Sequence, residues 1–335
     1  MTDPLVTLIV PMRNEARFIE ACITSIVEQR YPPGRLEILV YDGGSTDDSR
    51  DRVAAIAATH PEVVLLDNPR RIQAAGWNLG ISRATGDIIG IVGAHSELAP
   101  DYVATAVETL ERTGADMVGG PMRAVSEGPI GTAVAIATSS PFGVGGARFH
   151  YTEREEEVDT VYMGLCRSEV YRSLLFDEEM VRNQDDELSY RLLDRGGRIV
   201  CNPRIRSTYH NRATWSGLAR QYFEYGFWKV RVLRKHPRQA RFRHVIPAAL
   251  VASLAGSALL AVITRPSRLL FGATLSTYVL ATIGASIVAA RRTALSRTPL
   301  VAACFATLHL SYGLGFLAGL GSEVKRQARR RNRPT

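Results

Sequence analysis

Three apolar runs, at residues 245–264, 269–290 and 299–321, constrain this chain more than any other feature. Each is about the twenty residues that a helix needs to cross the hydrocarbon core of a bilayer. Buried core helices are the competing reading, but three in succession with almost no polar face point to membrane helices. Three complete crossings would carry the basic tail (Lys325, Arg326, Arg329, Arg330, Arg331, Arg333) to the side opposite the N-terminal region, against the positive-inside tendency. Either one run is a re-entrant or interfacial hairpin, or the rule fails here.

The rest of the 335 residues are charged and mixed, as in a soluble domain. The formal net charge of +8 gathers at the edges of the apolar region: Lys229, Arg231, Arg234, Lys235, Arg238, Arg241 and Arg243 before it, and the tail after it. Such flanking clusters suit anionic lipid headgroups. No nucleic-acid-binding motif accompanies the charge, so nucleic acid is not an expected partner. The four cysteines (Cys22, Cys166, Cys201, Cys304) form no CxxC pair or disulfide framework, which fits a reducing compartment. The first residues lack a signal-peptide pattern, so the soluble part is expected on the cytoplasmic side.

Within that part, strands and helices alternate. LVTLIV (5–10) is a buried strand that Pro11 is expected to end, and LEILVY (36–41) is a second one running into Asp42-Gly43-Gly44-Ser45. Helical spacing over 17–29, to about 59 and over 73–83, with strands at 63–66 and 88–92, predicts a doubly wound sheet of parallel strands. Residues 101–112 read as a helix and 117–119 as a short strand. The small-residue stretch 131–146, interrupted by Ser139-Ser140-Pro141 and four glycines, reads as a buried or interfacial loop. A helix is expected from Glu187, a strand at 198–201, and a helix with aromatic and basic faces over 218–235.

In open α/β sheets ligands sit at the carboxyl ends of strands. Three polar groups fall there: Pro11 to Glu15, Asp42, and His95. An Asx turn or helix cap is the competing reading of Asp42.

In combination these segments are far more specific. VPMRNEARFIEACITSI, LVYDGGSTDDS, RIQAAGWNLGI and ATGDIIGIVGAHSELAPDYV, followed by SSPFGVGGARF, VDTVYMGLCRSEVY, RNQDDELSYRLLDRGGRI and QYFEYGFWKV, resemble the family 2 glycosyltransferases, in their succinoglycan-biosynthesis branch. The resemblance covers about residues 5–235. It implies a GT-A, Rossmann-like α/β domain over 1–235, membrane-embedded helices over 244–321 and a basic tail over 322–335. It further implies inverting transfer from a nucleotide-diphosphate sugar, usually with Mg²⁺ or Mn²⁺, and a lipid-linked glycan acceptor at the plasma membrane.

Carried over motif by motif, Pro11, Asn14 and Glu15 match the first nucleotide-contacting loop, and Asp42, Gly44 and Ser45 the second. Arg71 falls near another donor contact. Gly93-Ala94-His95 occupies the place of the family's Asp-x-Asp metal motif, so the first carboxylate is missing and an oxygen-ligated Mg²⁺ site is weakened. His95 remains a candidate ligand that would favour Mn²⁺, and His210 matches a further metal-binding histidine; a satisfied structural histidine is the alternative for each. In Gln184-Asp185-Asp186-Glu187-Leu188, Asp185 aligns as the catalytic base with Glu187 as a helix-side partner, and Asp186 is the alternative. Without the resemblance, an acidic first turn facing the helix dipole explains the same residues. The aromatic and basic 221–229 segment reads either as a membrane-surface helix receiving a lipid-diphosphate acceptor or as ordinary core packing.

Overall fold

A computed structural model describes residues 3–211, 213–291 and 293–331. Two compact units divide them. The first comprises Met1–Arg123 with Ala147–His210, and the second Ala124–Gly146 with Asn211–Thr335.

The strands are β1 (Val6–Met12), β2 (Leu36–Asp42), β3 (Val63–Asp67), β4 (Ile88–Ile91), β5 (Ser96–Leu98), β6 (Met117–Gly120), β7 (Met122–Val125, across the unit boundary), β8 (Glu156–Glu157), β9 (Tyr162–Arg167), β10 (Ile199–Cys201) and β11 (Ser207–His210). Eight of them form the first unit's main sheet, in the order β3-β2-β1-β4-β9-β6-β10-β8. Apolar side chains alternate between its faces. Val6, Leu8, Val10, Ile38 and Val40 join the helices Ile19–Val27 and Tyr102–Thr113 on one side. Ile9, Leu39 and Tyr41 join the helices Gln73–Arg83, Ser168–Leu174 and Gln184–Asp194 on the other. A strand buried on both faces reads as a continuous apolar run, which is why β1 and β2 were legible.

Helices therefore cover both faces, but the strands are not all parallel. β1 runs parallel to β2 and β4, and β10 to β6, whereas β9 lies antiparallel between β4 and β6. The sequence expectation fails there because β9 is a short strand carrying Gly164, with little periodic signal. The packing is close at this crossing: a methyl on Gly164 would stand 2.8 Å from the Met117 sulfur, and one on Gly90, opposite Leu165, 2.6 Å from Leu8.

Nor does Pro11 end β1, which continues to Met12 opposite Asp42. The Ile9 carbonyl accepts the Val92 N–H on the β4 side. Pro11 points the same way two residues on, beyond the end of β4, so its missing N–H costs no ladder bond.

The second unit is helical. Residues 131–146 are not a loop: Gly128–Thr138 is a helix with proline in its first turn, and Pro141–Val144 a short one capped by the Ser140 hydroxyl. Proline is tolerated at a helix start, and no breaker interrupts the run from Gly131 to Thr138. Ala133, Val134 and Ala137 pack with Leu218, Val301, Cys304, Phe305 and Leu308. The helix Trp215–Lys235, which the sequence reading sets with the transferase domain, belongs to this unit and runs against the last helix, Thr298–Arg331. Their backbones cross at glycine: a methyl on Gly315 would stand 2.0 Å from the Phe223 carbonyl oxygen, and one on Gly226 2.1 Å from that of Tyr312. Close approach at small residues is how helices associate where water supplies no driving force.

Phe242–Leu260, Arg265–Ala290 and Leu295–Arg326 are each long and apolar enough to cross a membrane. Their exposed side chains include the large apolar Leu259, Leu260, Leu269 and Leu280, as expected of a lipid-facing surface. Arg333 of the basic tail lies outside the described residues.

Candidate active site

The carboxyl ends of β1, β2 and β3 carry a set of polar residues that hold one another. Asp42, the last residue of β2, is 4% exposed. Its Oδ1 accepts the Ser45 N–H at 3.0 Å and the Ser45 hydroxyl at 2.6 Å. Arg50 Nη1 reaches its Oδ2 at 3.2 Å and Asp67, at the end of β3, at 2.7 Å. The Asx-type turn suggested by Asp-Gly-Gly-Ser is thus present, and three of a carboxylate's roughly four acceptor positions are taken.

Side chains of the second loop fasten the first. Asn14, left-handed at φ 56°, donates its N–H to Ser45 Oγ at 2.9 Å and accepts the Thr46 N–H on Oδ1 at 2.7 Å. Asparagine is among the residues that best tolerate that conformation. The N–H groups of Glu15 and Ala16 go to Ser49 Oγ (2.7 Å) and Asp47 Oδ2 (3.1 Å). Pro11 is buried beneath the helix Gln73–Arg83, 2.9 Å from where a methyl on Gly76 would stand.

Arg71, also left-handed (φ 57°), lies across Gly44, whose added methyl would sit 3.2 Å from the guanidinium Nε. Asn14, Asp42, Gly44, Ser45 and Arg71 therefore come together in one place. A residue the sequence reading passed over joins them. Asn68 is 3% exposed, donates its N–H to the Asp42 carbonyl (2.8 Å) and its Nδ2 to the Ile72 carbonyl (2.9 Å), and accepts the Arg71 N–H (3.0 Å). Its Oδ1 is buried without a protein hydrogen bond. The signal was an Asn-Pro pair directly after a strand.

The place of the metal motif is differently occupied. The Gly93 N–H faces the Met163 sulfur at 3.5 Å, and its carbonyl accepts the Cys22 thiol at 3.6 Å. Burial pushes that thiol up to about 12. His95 Nδ1 stands 3.5 Å from Glu15 Oε1 and its ring meets Tyr209 edge-on. His210 Nε2 is 2.7 Å from Glu97 Oε1, with its ring stacked on Phe18. The two histidines are joined by a backbone hydrogen bond, His210 N–H to the His95 carbonyl at 3.2 Å, yet each ring turns to its own carboxylate. Among the described residues no three histidine, cysteine or carboxylate side chains gather as a cation would require. The described residues do not fit a protein-built Mg²⁺ or Mn²⁺ site.

The acidic motif heads the helix Gln184–Asp194, entered through Asn183 at φ 59°. Asp185 is exposed and accepts the Asp186 N–H at 2.9 Å, whereas Asp186 is half-buried and close to His150. Burial drives the His150 imidazole down to about 4, with the Asp186 charge pulling it upward. Glu187, 2% exposed, is held by Arg191 at 2.8 and 3.0 Å. Arg191 also donates to the carbonyls of Leu174 (2.5 Å) and Leu175 (2.6 Å). The carboxylate that the alignment makes a helix-side partner is therefore part of a staple holding the chain that leads into this helix.

The pattern of glycosyl transferase family 2 matches residues 7–175, and the chain belongs to that family. It is a glycosyltransferase of GT-A fold followed by three apolar helices. It is 31% identical over 319 residues to the succinoglycan biosynthesis protein ExoA of Rhizobium meliloti, spanning 94% of this chain and 95% of that protein. It is 29% identical over 239 residues, 69% of this chain and 74% of the other, to a dolichyl N-acetyl-α-D-glucosaminyl phosphate 3-β-D-2,3-diacetamido-2,3-dideoxy-β-D-glucuronosyltransferase of Methanococcus voltae. Among solved structures, the mannosyltransferase PcManGT of Pyrobaculum calidifontis, in complex with GDP-Man and Mn²⁺, superposes with a TM-score of 0.65 at 22% identity, covering 96% of this chain and 88% of that one.

Proposed function

We propose that this chain is an inverting glycosyltransferase that moves a sugar from a nucleotide-diphosphate donor to a polyprenyl-diphosphate-linked glycan at the cytoplasmic face of the plasma membrane. The observation that carries this reading is the interlocked pair of loops at the ends of β1 and β2. Asp42 is fixed by Ser45 and Arg50, and Arg71 lies over the side-chain-free Gly44. A buried carboxylate beside a guanidinium suits a nucleoside and its phosphates. The bound GDP-Man of the archaeal mannosyltransferase supports the same donor class. The lipid acceptor is supported by three apolar helices and by the dolichyl-phosphate substrate in the name of the Methanococcus relative.

In the proposed step an acceptor hydroxyl oxygen attacks the anomeric carbon as the bond to the nucleoside diphosphate breaks. The hydroxyl proton passes to a carboxylate at the start of Gln184–Asp194. Asp185 is the base by its place in the motif, with Asp186 as the alternative, and Glu187 is held by Arg191. Asp185 is the more exposed of the two.

The test is incubation of the purified chain with a panel of nucleotide sugars and membrane lipid extract, with and without EDTA. Transfer to lipid is expected from one donor, and Asp185→Asn should abolish turnover while nucleotide binding survives. Normal turnover in that variant would refute the base; no transfer from any donor would refute the function. Near-intact activity of Asp185→Asn on bare polyprenyl phosphate would favour a polyprenyl-phosphate sugar synthase instead, because a phosphate oxygen needs no strong base.

A further inference from the structure

The helix carrying Asp185 is entered through the segment from Leu175 to Asn183, and both end residues are left-handed without being glycine (φ 50° and 59°). Such conformations persist only where the surroundings over-determine them. Arg191 holds the Leu175 end through its carbonyl, and a side chain on another element holds the residue that follows. Asn78 accepts the Phe176 N–H on Oδ1 at 2.7 Å, and its Nδ2 donates to the Phe176 carbonyl and to Glu178 Oε1, both at 2.9 Å. A single amide thus satisfies both backbone groups of Phe176, as a neighbouring strand would. The Phe176 ring is 4% exposed and packs on Trp77, with centroids 4.5 Å apart. A second tie runs from Glu178 to Arg70.

Asn78 and Trp77 belong to the helix Gln73–Arg83, which begins two residues after Arg71, and Arg70 is the residue before Arg71. The segment leading into the acidic helix is therefore clipped to the chain on both sides of the proposed donor-contacting arginine. From this we infer that Asn78 is a positioning residue. Through Phe176 and Glu178 it holds the Asp185 helix in fixed relation to the Arg71 segment, so that base and donor are set together. The inference rests on the proposed transferase reading.

The isosteric change Asn78→Asp keeps the acceptor for the Phe176 N–H, deletes both donations and sets a carboxylate against Glu178. In the full chain kcat should fall by about 10- to 100-fold, the scale of a misplacement of about 1 Å, with the donor KM within about threefold. Adding Glu178→Gln removes the repulsion and supplies an amide donor but gives up the charge paired with Arg70, so kcat should recover part of the loss. A merely structural role would lower the folded fraction without a separation of kcat from KM or this rescue. Unchanged kcat in folded Asn78→Asp, or a loss that Glu178→Gln does not relieve, would overturn the proposal.

Hydrogen exchange read on residues 176–187 of the full chain, in Asn78→Asp and in Arg70→Ala, tests the clip without turnover. Protection there should drop while that of β1 holds, and unchanged protection would also overturn it. If the unsubstituted chain transfers no sugar from any donor, the functional reading fails, and the exchange experiment still decides whether the clip exists.

Discussion

Gly44 and Gly34 have nearly the same positive φ, +75° and +74°, and differ in what surrounds them. A methyl on Gly34 meets nothing within 4 Å, whereas one on Gly44 stands 3.2 Å from Arg71 Nε. Replacing either by alanine forces an L-residue into the left-handed region, at about 1–2 kcal/mol. For a domain of this size that lowers the melting temperature by about 2–8 °C. The strain should be common to both variants, so their difference isolates the push on Arg71. A charge-assisted hydrogen bond is worth about 1.5–3 kcal/mol, or roughly 10- to 150-fold in affinity if wholly lost. Gly44→Ala should therefore bind nucleotide about tenfold or more weakly than Gly34→Ala, which should match the unsubstituted chain. Thermal unfolding supplies the first comparison, and calorimetric titration with UDP and with GDP the second. Equal affinities in the two variants, alongside a clear loss in Arg71→Ala, would refute the idea that Gly44 seats the arginine.

Gly80→Ala drives a methyl to 2.4 Å from Ile9 Cγ2, between the helix Gln73–Arg83 and β1. Overpacking of this kind costs about 1–3 kcal/mol, which a thermal melt should read as a lower unfolding temperature; an unchanged melt would refute it. His150 gives the fold a pH dependence. The unfolded imidazole takes up a proton near its ordinary 6.5, while burial holds the folded one neutral to about 4, so stability is full above about 6.5 and is lost as pH falls toward 4. His150→Gln should remove up to about 3 kcal/mol of that fall, and parallel stability–pH curves for the two proteins would refute it.

The sequence alone carried whatever depends on short stretches of chain. Continuous apolar β-branched runs specified β1 and β2, because strands buried on both faces need apolar side chains at every position. Three near-uncharged segments specified the apolar helices by length. The order of the family 2 motifs carried the class of enzyme, and turn chemistry located the Asp42 loop. Where pairing or approach over long separations decides, the sequence was silent. The antiparallel β9 inserts between β4 and β6, where room comes from Gly90 and Gly164 on distant segments. The helix Gly128–Thr138 escaped the sequence reading because the partners that bury it, Leu218 and Phe305 among them, lie far along the chain. The engagement of His210 by Glu97 and of Phe176 by Asn78 follows from no local pattern, whereas Glu187 and Arg191 are an i,i+4 pair on one helix. Hydrogen bonds between groups 100 residues apart are chosen by the packed fold, since only packing brings those groups within 3 Å and removes the water that would otherwise satisfy them.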